Sequence, residues 1–249
     1  MDSKSLKELV FTLADDMLVV GHRHSEWIGL GPLLEEDISF ASIAQDKVGQ
    51  SRVLYNLLHS WGEPNADILV FTRKAEAFQN CILAELPAPD YELALVRHFL
   101  FDEAQAVIYA DLKSSSQPDL AAFATKFAGE IKYHTLHGRA MLSRLSAGSE
   151  DAKARLQVAL DALWPFCGGL FEASPYEATL EAEKIISPSA VLKARWLAQV
   201  MPFLAKCGYF PDPDALGQEG GRIGLHTPYL QPMLTEMSEV YNLDPSAEW

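Results

Sequence analysis

The sequence predicts an all-α protein. Apolar residues recur at helical spacing in four long segments, clusters of Gly and Pro separate those segments, and no stretch alternates apolar and polar residues like a half-buried strand. A chain of 249 residues can bury one large core, so a single domain over 1–249 is expected. Four long helices with short and medium connections form an up-down bundle pattern over about 4–147. Shorter helices over about 150–242 are expected to wrap that bundle, with a tail over 243–249.

The first helix should run from about Ser5 to His24, with Ser3 or Ser5 as cap and Glu8 completing a capping box with Ser5. Leu6, Leu9, Val10, Leu13, Met17 and Val20 make its apolar stripe; Asp16 flanks the stripe, whereas Asp15 points toward solvent. Gly29-Leu-Gly-Pro32 turns the chain into a second helix, about Glu35 to Trp61. Phe40, Ile43, Ala44, Leu54, Leu57, Leu58 and Trp61 form its apolar face, and Lys47 projects from the middle of it with Gln50 beside it and Asp46 at the edge. A charged lysine there needs a carboxylate partner or a route to water; the alternative is that it snorkels along the surface. Asp67 to Glu85 reads as a short helical segment ending in Pro87-Ala-Pro89.

The third long helix, about Asp90 to Leu112, is apolar nearly all round and should be the most buried. Leu95, Phe99, Asp102, Ala106 and Tyr109 share one stripe, which turns Asp102 inward, with Glu103 as a second candidate. The fourth, about Asp119 to Leu145, places His134 mid-face and Glu130 one turn earlier. Beyond Gly148, helices interrupted by Pro165, Pro175, Pro188 and Pro202 are expected. Gly220-Gly-Arg-Ile-Gly224 follows no predicted strand and lacks a P-loop lysine, so a structural role is expected, and Thr227-Pro228 should open a last helix to about Tyr241.

A formal charge of -14 argues against nucleic acid or an anionic membrane as partner. No uninterrupted apolar run of about 20 residues occurs, as a membrane span would need. Met1-Asp-Ser-Lys carries charge and no apolar run, so no signal peptide is expected. Cys81, Cys167 and Cys207 share no ligand spacing and read as free thiols of a cytoplasmic protein.

One polar group per long helix thus faces the core: Asp16, Lys47 with Gln50, Asp102, and Glu130 with His134. Singly, each has a plain reading as a solvated acid, a snorkelling lysine or a packed histidine. Together they resemble the carboxylate and imidazole sets of di-iron bundles, which use a Glu from two helices and Glu-x-x-His from the other two. The spacing of Glu130 and His134 is i, i+4, however, and Ile131 fills the i, i+3 place. Lys47 puts an ammonium where a metal cation would bind, so a metal-free salt-bridge cluster is expected.

Leu18-Val-Val-Gly-His-Arg-His-Ser-Glu-Trp27, Asp46-Lys-Val-Gly-Gln-Ser-Arg52, Tyr133-His134, the run Gly220-Gly-Arg-Ile-Gly-Leu-His-Thr-Pro-Tyr-Leu-Gln-Pro-Met-Leu-Thr-Glu-Met237 and the terminal Trp249 carry a resemblance that covers the chain. It resembles the structural subunits of bacterial phenylacetyl-coenzyme A epoxidases, ferritin-like homologues of the catalytic di-iron subunit. The resemblance implies that the two Glu-x-x-His motifs of the catalytic homologue fall on Lys47 and Gln50, and on Ile131 and His134. It further implies a non-catalytic chain without a cofactor of its own. Its expected partners are the di-iron subunit, to which phenylacetyl-coenzyme A belongs, and other epoxidase subunits, with self-association of the isolated chain left open. Two other readings stay open: a self-standing di-iron or di-manganese oxygenase with unusual ligands, and a helical interaction module outside any oxygenase.

Overall fold

The computed structural model describes residues 3–247. Trp249, which contributes to the resemblance, lies outside the described residues, as does the end of the expected tail. Ten α-helices follow one another with no strand among the described residues: α1 Ser3–Ser25, α2 Leu34–Ser60, α3 Ala66–Phe71, α4 Ile82–Glu85, α5 Tyr91–Leu112, α6 Pro118–Ser146, α7 Glu150–Leu163, α8 Glu177–Ala182, α9 Ser189–Lys206 and α10 Leu230–Leu243. The four long helices stand within a few residues of where apolar periodicity places them. Ser5 lies inside α1, so it is not a cap.

α1 and α2 form one antiparallel hairpin. Gly21 lets the two backbones come close, since a Cβ there would lie 3.0 Å from Lys47 Cβ, and Ser51 Oγ donates to the Ala14 carbonyl at 2.9 Å. α5 and α6 form the second. Gly138 approaches His98 and Phe99 of α5, and Phe123 meets the ring of Tyr109 at 5.3 Å. The two hairpins are joined by polar side chains that cross from α2 to α5 and α6. α7 and α9 pack on the outer side of α5. Trp196 of α9 is fully buried, stacks on Trp164 at 5.4 Å and donates its indole N–H to the Leu100 carbonyl. Aromatic rings of this size bury large apolar areas, so the pair ties the second half of the chain to the core.

Three sequence expectations change. The segment from Asp67 to Glu85 is three pieces, α3, a 3-10 turn over Ala75–Ala77 and α4. The amides of Gln79 and Cys81 donate to Asp15 and Asp16 of α1, at 2.8 and 2.7 Å, so they are not available to a helical ladder. Pro202 does not end a helix: α9 runs through it, and the residue is exposed, so water can serve the freed carbonyl. The last helix begins at Leu230; Thr227 instead shapes the preceding turn, accepting from Tyr229 N–H at 3.3 Å.

The loop before α10 clasps the 76–82 segment. A Cβ on Gly221 would collide with the Asn80 carbonyl, and Gly224 takes φ of +80° beside the Glu76 backbone. Gly221→Ala should therefore lower stability by about 1–3 kcal/mol through overpacking against backbone. Gly49→Ala, where no atom lies within 4 Å, should instead raise it by about 0.5–1 kcal/mol because Ala favours the helix. Denaturant unfolding of the two variants checks both signs.

Candidate functional site

α2 presents Lys47 inward because Ile43, Ala44 and Leu54 on the same face are buried with it, and its side chain has no exposure to solvent. Its ammonium hydrogen-bonds Asp102 Oδ1 on α5 and lies 5.1 Å from the Phe101 ring centre. Burial raises the Asp102 carboxyl, but the Lys47 charge and then His98 outweigh it and hold the group well below the usual carboxylate range. His134 Nδ1 of α6 reaches the same oxygen at 3.2 Å, and its Nε2 reaches Asp46 at 3.0 Å. One turn along, Gln50 donates to Glu130 at 2.8 Å and accepts from the Tyr109 hydroxyl at 2.8 Å. Lys47, Asp102 and His134 with Asp46 therefore form one network between the hairpins, and Gln50, Glu130 and Tyr109 form a second beside it.

Asp16 does not join them. Arg222 grips it with two hydrogen bonds of 2.8 Å, and Cys81 N–H adds a third contact. The cation that answers Asp16 comes from the loop before α10, more than 200 residues away in sequence, and periodicity along α1 cannot reveal that. Asp15 is not solvated either. It is fully buried, receives Arg73 at 2.5 and 3.1 Å and the Gln79 amide, and is hydrogen-bonded by Tyr55. Glu103 is buried too, but it forms a separate two-pronged pair with Arg139 at 2.6 and 2.5 Å.

Sequence reading found His134 but missed three further histidines, His98, His137 and His24. His98 Nδ1 lies 2.8 Å from Asp102 Oδ2, off the direction its N–H would need for a good hydrogen bond. Its Nε2 meets His137 Nδ1 at 3.2 Å, and His137 Nε2 meets Glu36 at 3.2 Å. Tyr91 donates to Glu36 at 2.5 Å. His24 of α1 packs edge-on against His98 and Phe40, both at 5.4 Å. Burial holds it well below the usual imidazole range, and neither ring nitrogen has a protein partner. His98 sits one helical turn before Asp102 and His137 three residues after His134, so spacing carried a signal. It was hidden because α5 is apolar on almost every side.

Lys47, Gln50, Ile131 and His134, the positions onto which the resemblance would place ligand motifs, hold an ammonium, a carboxamide, a buried alkyl side chain and one imidazole. An ammonium and an alkyl group cannot ligate iron, so this set does not fit a di-iron centre. His24, His98 and Asp102 bring three donor atoms within 4.8 Å of one another, but a cation among them would share with Lys47 a carboxylate that the ammonium already neutralises.

Removing Lys47 isolates the Asp102 charge. Lys47→Met should cost about 3–5 kcal/mol, as breaking a buried pair does. The Asp102 carboxyl, held low chiefly by Lys47, would rise in the variant, so protonation at low pH would relieve part of the loss. The deficit should accordingly be largest at high pH and shrink as pH falls, in denaturant unfolding of both proteins at two pH values.

Residues 1–249 match the family described as phenylacetic acid catabolic protein. A curated relative, one of the subunits of the 1,2-phenylacetyl-CoA epoxidase of Escherichia coli (strain K12), is 33% identical over 238 residues, covering 95% of this chain and 96% of the relative. With the match spanning the whole sequence and a relative aligned along almost all of its length, the chain belongs to the phenylacetic acid catabolic protein family.

Proposed function

We propose that this chain is a non-catalytic, structural subunit of a multicomponent phenylacetyl-coenzyme A epoxidase in aerobic phenylacetate degradation. In this reading its helical core is a ferritin-like four-helix bundle, made of the α1–α2 and α5–α6 hairpins. It packs against a di-iron catalytic subunit in the cytoplasm and holds no metal itself. The observation that carries the reading is the Lys47–Asp102 pair, fully buried on both sides. A lysine ammonium within hydrogen-bonding reach of the central carboxylate provides the positive charge that a metal provides in a metallated bundle. The similarity to a protein named as one subunit of an epoxidase supports the placement in a complex. No helix of the described residues is long and apolar enough to cross a membrane, in keeping with that setting. A self-standing di-iron or di-manganese oxygenase would need carboxylates and imidazoles where Lys47, Gln50 and Ile131 stand.

The exposed apolar residues suit an interface. Ile28, Leu30, Leu33, Leu34 and Ile38 surround the α1–α2 turn, and each is about half exposed or more. Obligate interfaces bury roughly 2,000–5,000 Å² of largely apolar surface. Purified alone, the chain should show no epoxidation and well under one iron or manganese per chain by elemental analysis. Expressing the catalytic subunit without it should sharply lower the yield of soluble, active enzyme. A partner that folds and turns over by itself, or near-stoichiometric iron in this chain, would overturn the reading.

A further inference from the structure

The contacts around Asp102 extend into a chain of six groups that leaves α2 and returns to it. Glu36 faces His137 Nε2, His137 Nδ1 faces His98 Nε2, and His98 Nδ1 faces Asp102 Oδ2. Asp102 Oδ1 then faces His134 Nδ1, and His134 Nε2 faces Asp46. The two ends lie about 15 Å apart along α2. Each of these five contacts is 2.8–3.2 Å, which brings together atoms that accept hydrogen bonds unless one of them carries a hydrogen. A neutral imidazole carries one N–H, so three neutral rings supply hydrogens for three contacts and leave two bare. Carboxylates supply none. The relay is complete only with two further protons.

Charge leads to the same number. Glu36, Asp102 and Asp46 bring three negative charges, and Lys47 is the cation bonded within this set. Two protons make the set neutral, and uncompensated charge is costly at its buried members, Glu36 and Asp102. From the other elements packed here, His24 of α1 is held neutral by burial, Tyr91 of α5 donates to Glu36, and Glu130 of α6 is engaged by Gln50.

We propose that this relay is a proton-binding site that holds two protons and exchanges them with solvent at Asp46. That carboxylate is 30% exposed, whereas the Glu36 and His137 side chains are 5% and 8% exposed. Burial holds His98 below the usual imidazole range. Burial raises the Glu36 carboxyl, but hydrogen bonds from His137 and Tyr91 bring it below its ordinary value, in keeping with an anion at that end. The two protons belong to the chain of groups and titrate together. Losing them sets ring lone pairs against carboxylates across the junction of α2 with α5 and α6. Stability therefore falls as pH rises through their release. The relay rests on the geometry of these six groups and does not depend on the subunit reading.

Histidine-selective nitrogen NMR of the full chain tests it, since ring shifts separate doubly protonated from neutral imidazoles. At neutral pH the three relay rings should together carry five ring protons. Glu36→Gln, whose amide can donate to His137 Nε2, should reduce this by one, and Asp46→Asn by one at the other end. The Asp46 variant is at a partly exposed position and carries the test if the Glu36 variant does not fold. Three neutral relay rings in the wild type would overturn the proposal, as would variants that leave the proton count unchanged. So would stoichiometric metal together with metal-shifted ring signals, because a cation would then occupy the place assigned to protons.

Discussion

The arrangement of the two hairpins depends on one ion pair. Lys47 and Asp102 both lie wholly out of water, and neither could stay charged there without the other. Moving two such charges from water costs several kcal/mol each, a cost their mutual attraction offsets best when further polar groups stand close to them. That requirement explains the surroundings. His134 and His98 approach the same carboxylate, Phe101 lies beside the ammonium, and one turn further along α2 a separate set, Gln50 with Glu130 and Tyr109, also crosses between the hairpins. A polar set this connected tolerates little sliding of α2 along α5 and α6, so it fixes register as well as charge.

A second constraint acts on α1. Asp15 and Asp16, adjacent in sequence, point to different partners, and each organises a piece of irregular chain. Asp15 collects Arg73, Tyr55 and the Gln79 amide, while Asp16 holds the Cys81 amide and Arg222. Between them they explain why the segment between the hairpins is broken into short turns and why the loop before α10 returns across it. His226 closes the same region by meeting Glu85 at 2.7 Å and the Phe78 carbonyl at 3.0 Å. The glycines of that loop are needed because its backbone passes within contact distance of Asn80 and Glu76. The Gly220–Gly224 loop is thus occupied with the protein's own carboxylates and carbonyls.

On the proposed reading, Lys47 also gives a physical account of how a metal-binding bundle can be reused. Inward carboxylates repel one another and need a cation in their midst. A metal ion meets that need with several strong bonds, and an ammonium meets it with hydrogen bonds and no redox chemistry. On the reading proposed here, the chain keeps the charge balance of a metallated core while giving up its reactivity, and the remaining imidazoles become available to hold protons.

Much of this could be read from the sequence. Apolar periodicity determined the four long helices, because a helix buried on one side must repeat its apolar residues every 3.6 positions. The same periodicity turned Lys47, Asp102 and His134 inward, and chemistry then required that a buried lysine find an acid. It could not say which acid. Asp16 looked as suitable as Asp102, but its partner is Arg222, brought in by a loop with no periodicity. Asp15 looked solvated because the rule assumes water beyond the polar face, and the 72–81 segment covers that face instead. In α5 nearly every side is buried, so pattern lost its power to distinguish sides and the role of His98 disappeared. Residue type and spacing determine which groups leave water. Which of them meet is decided by the packing of elements distant in the chain, since charge pairing depends on distance in space.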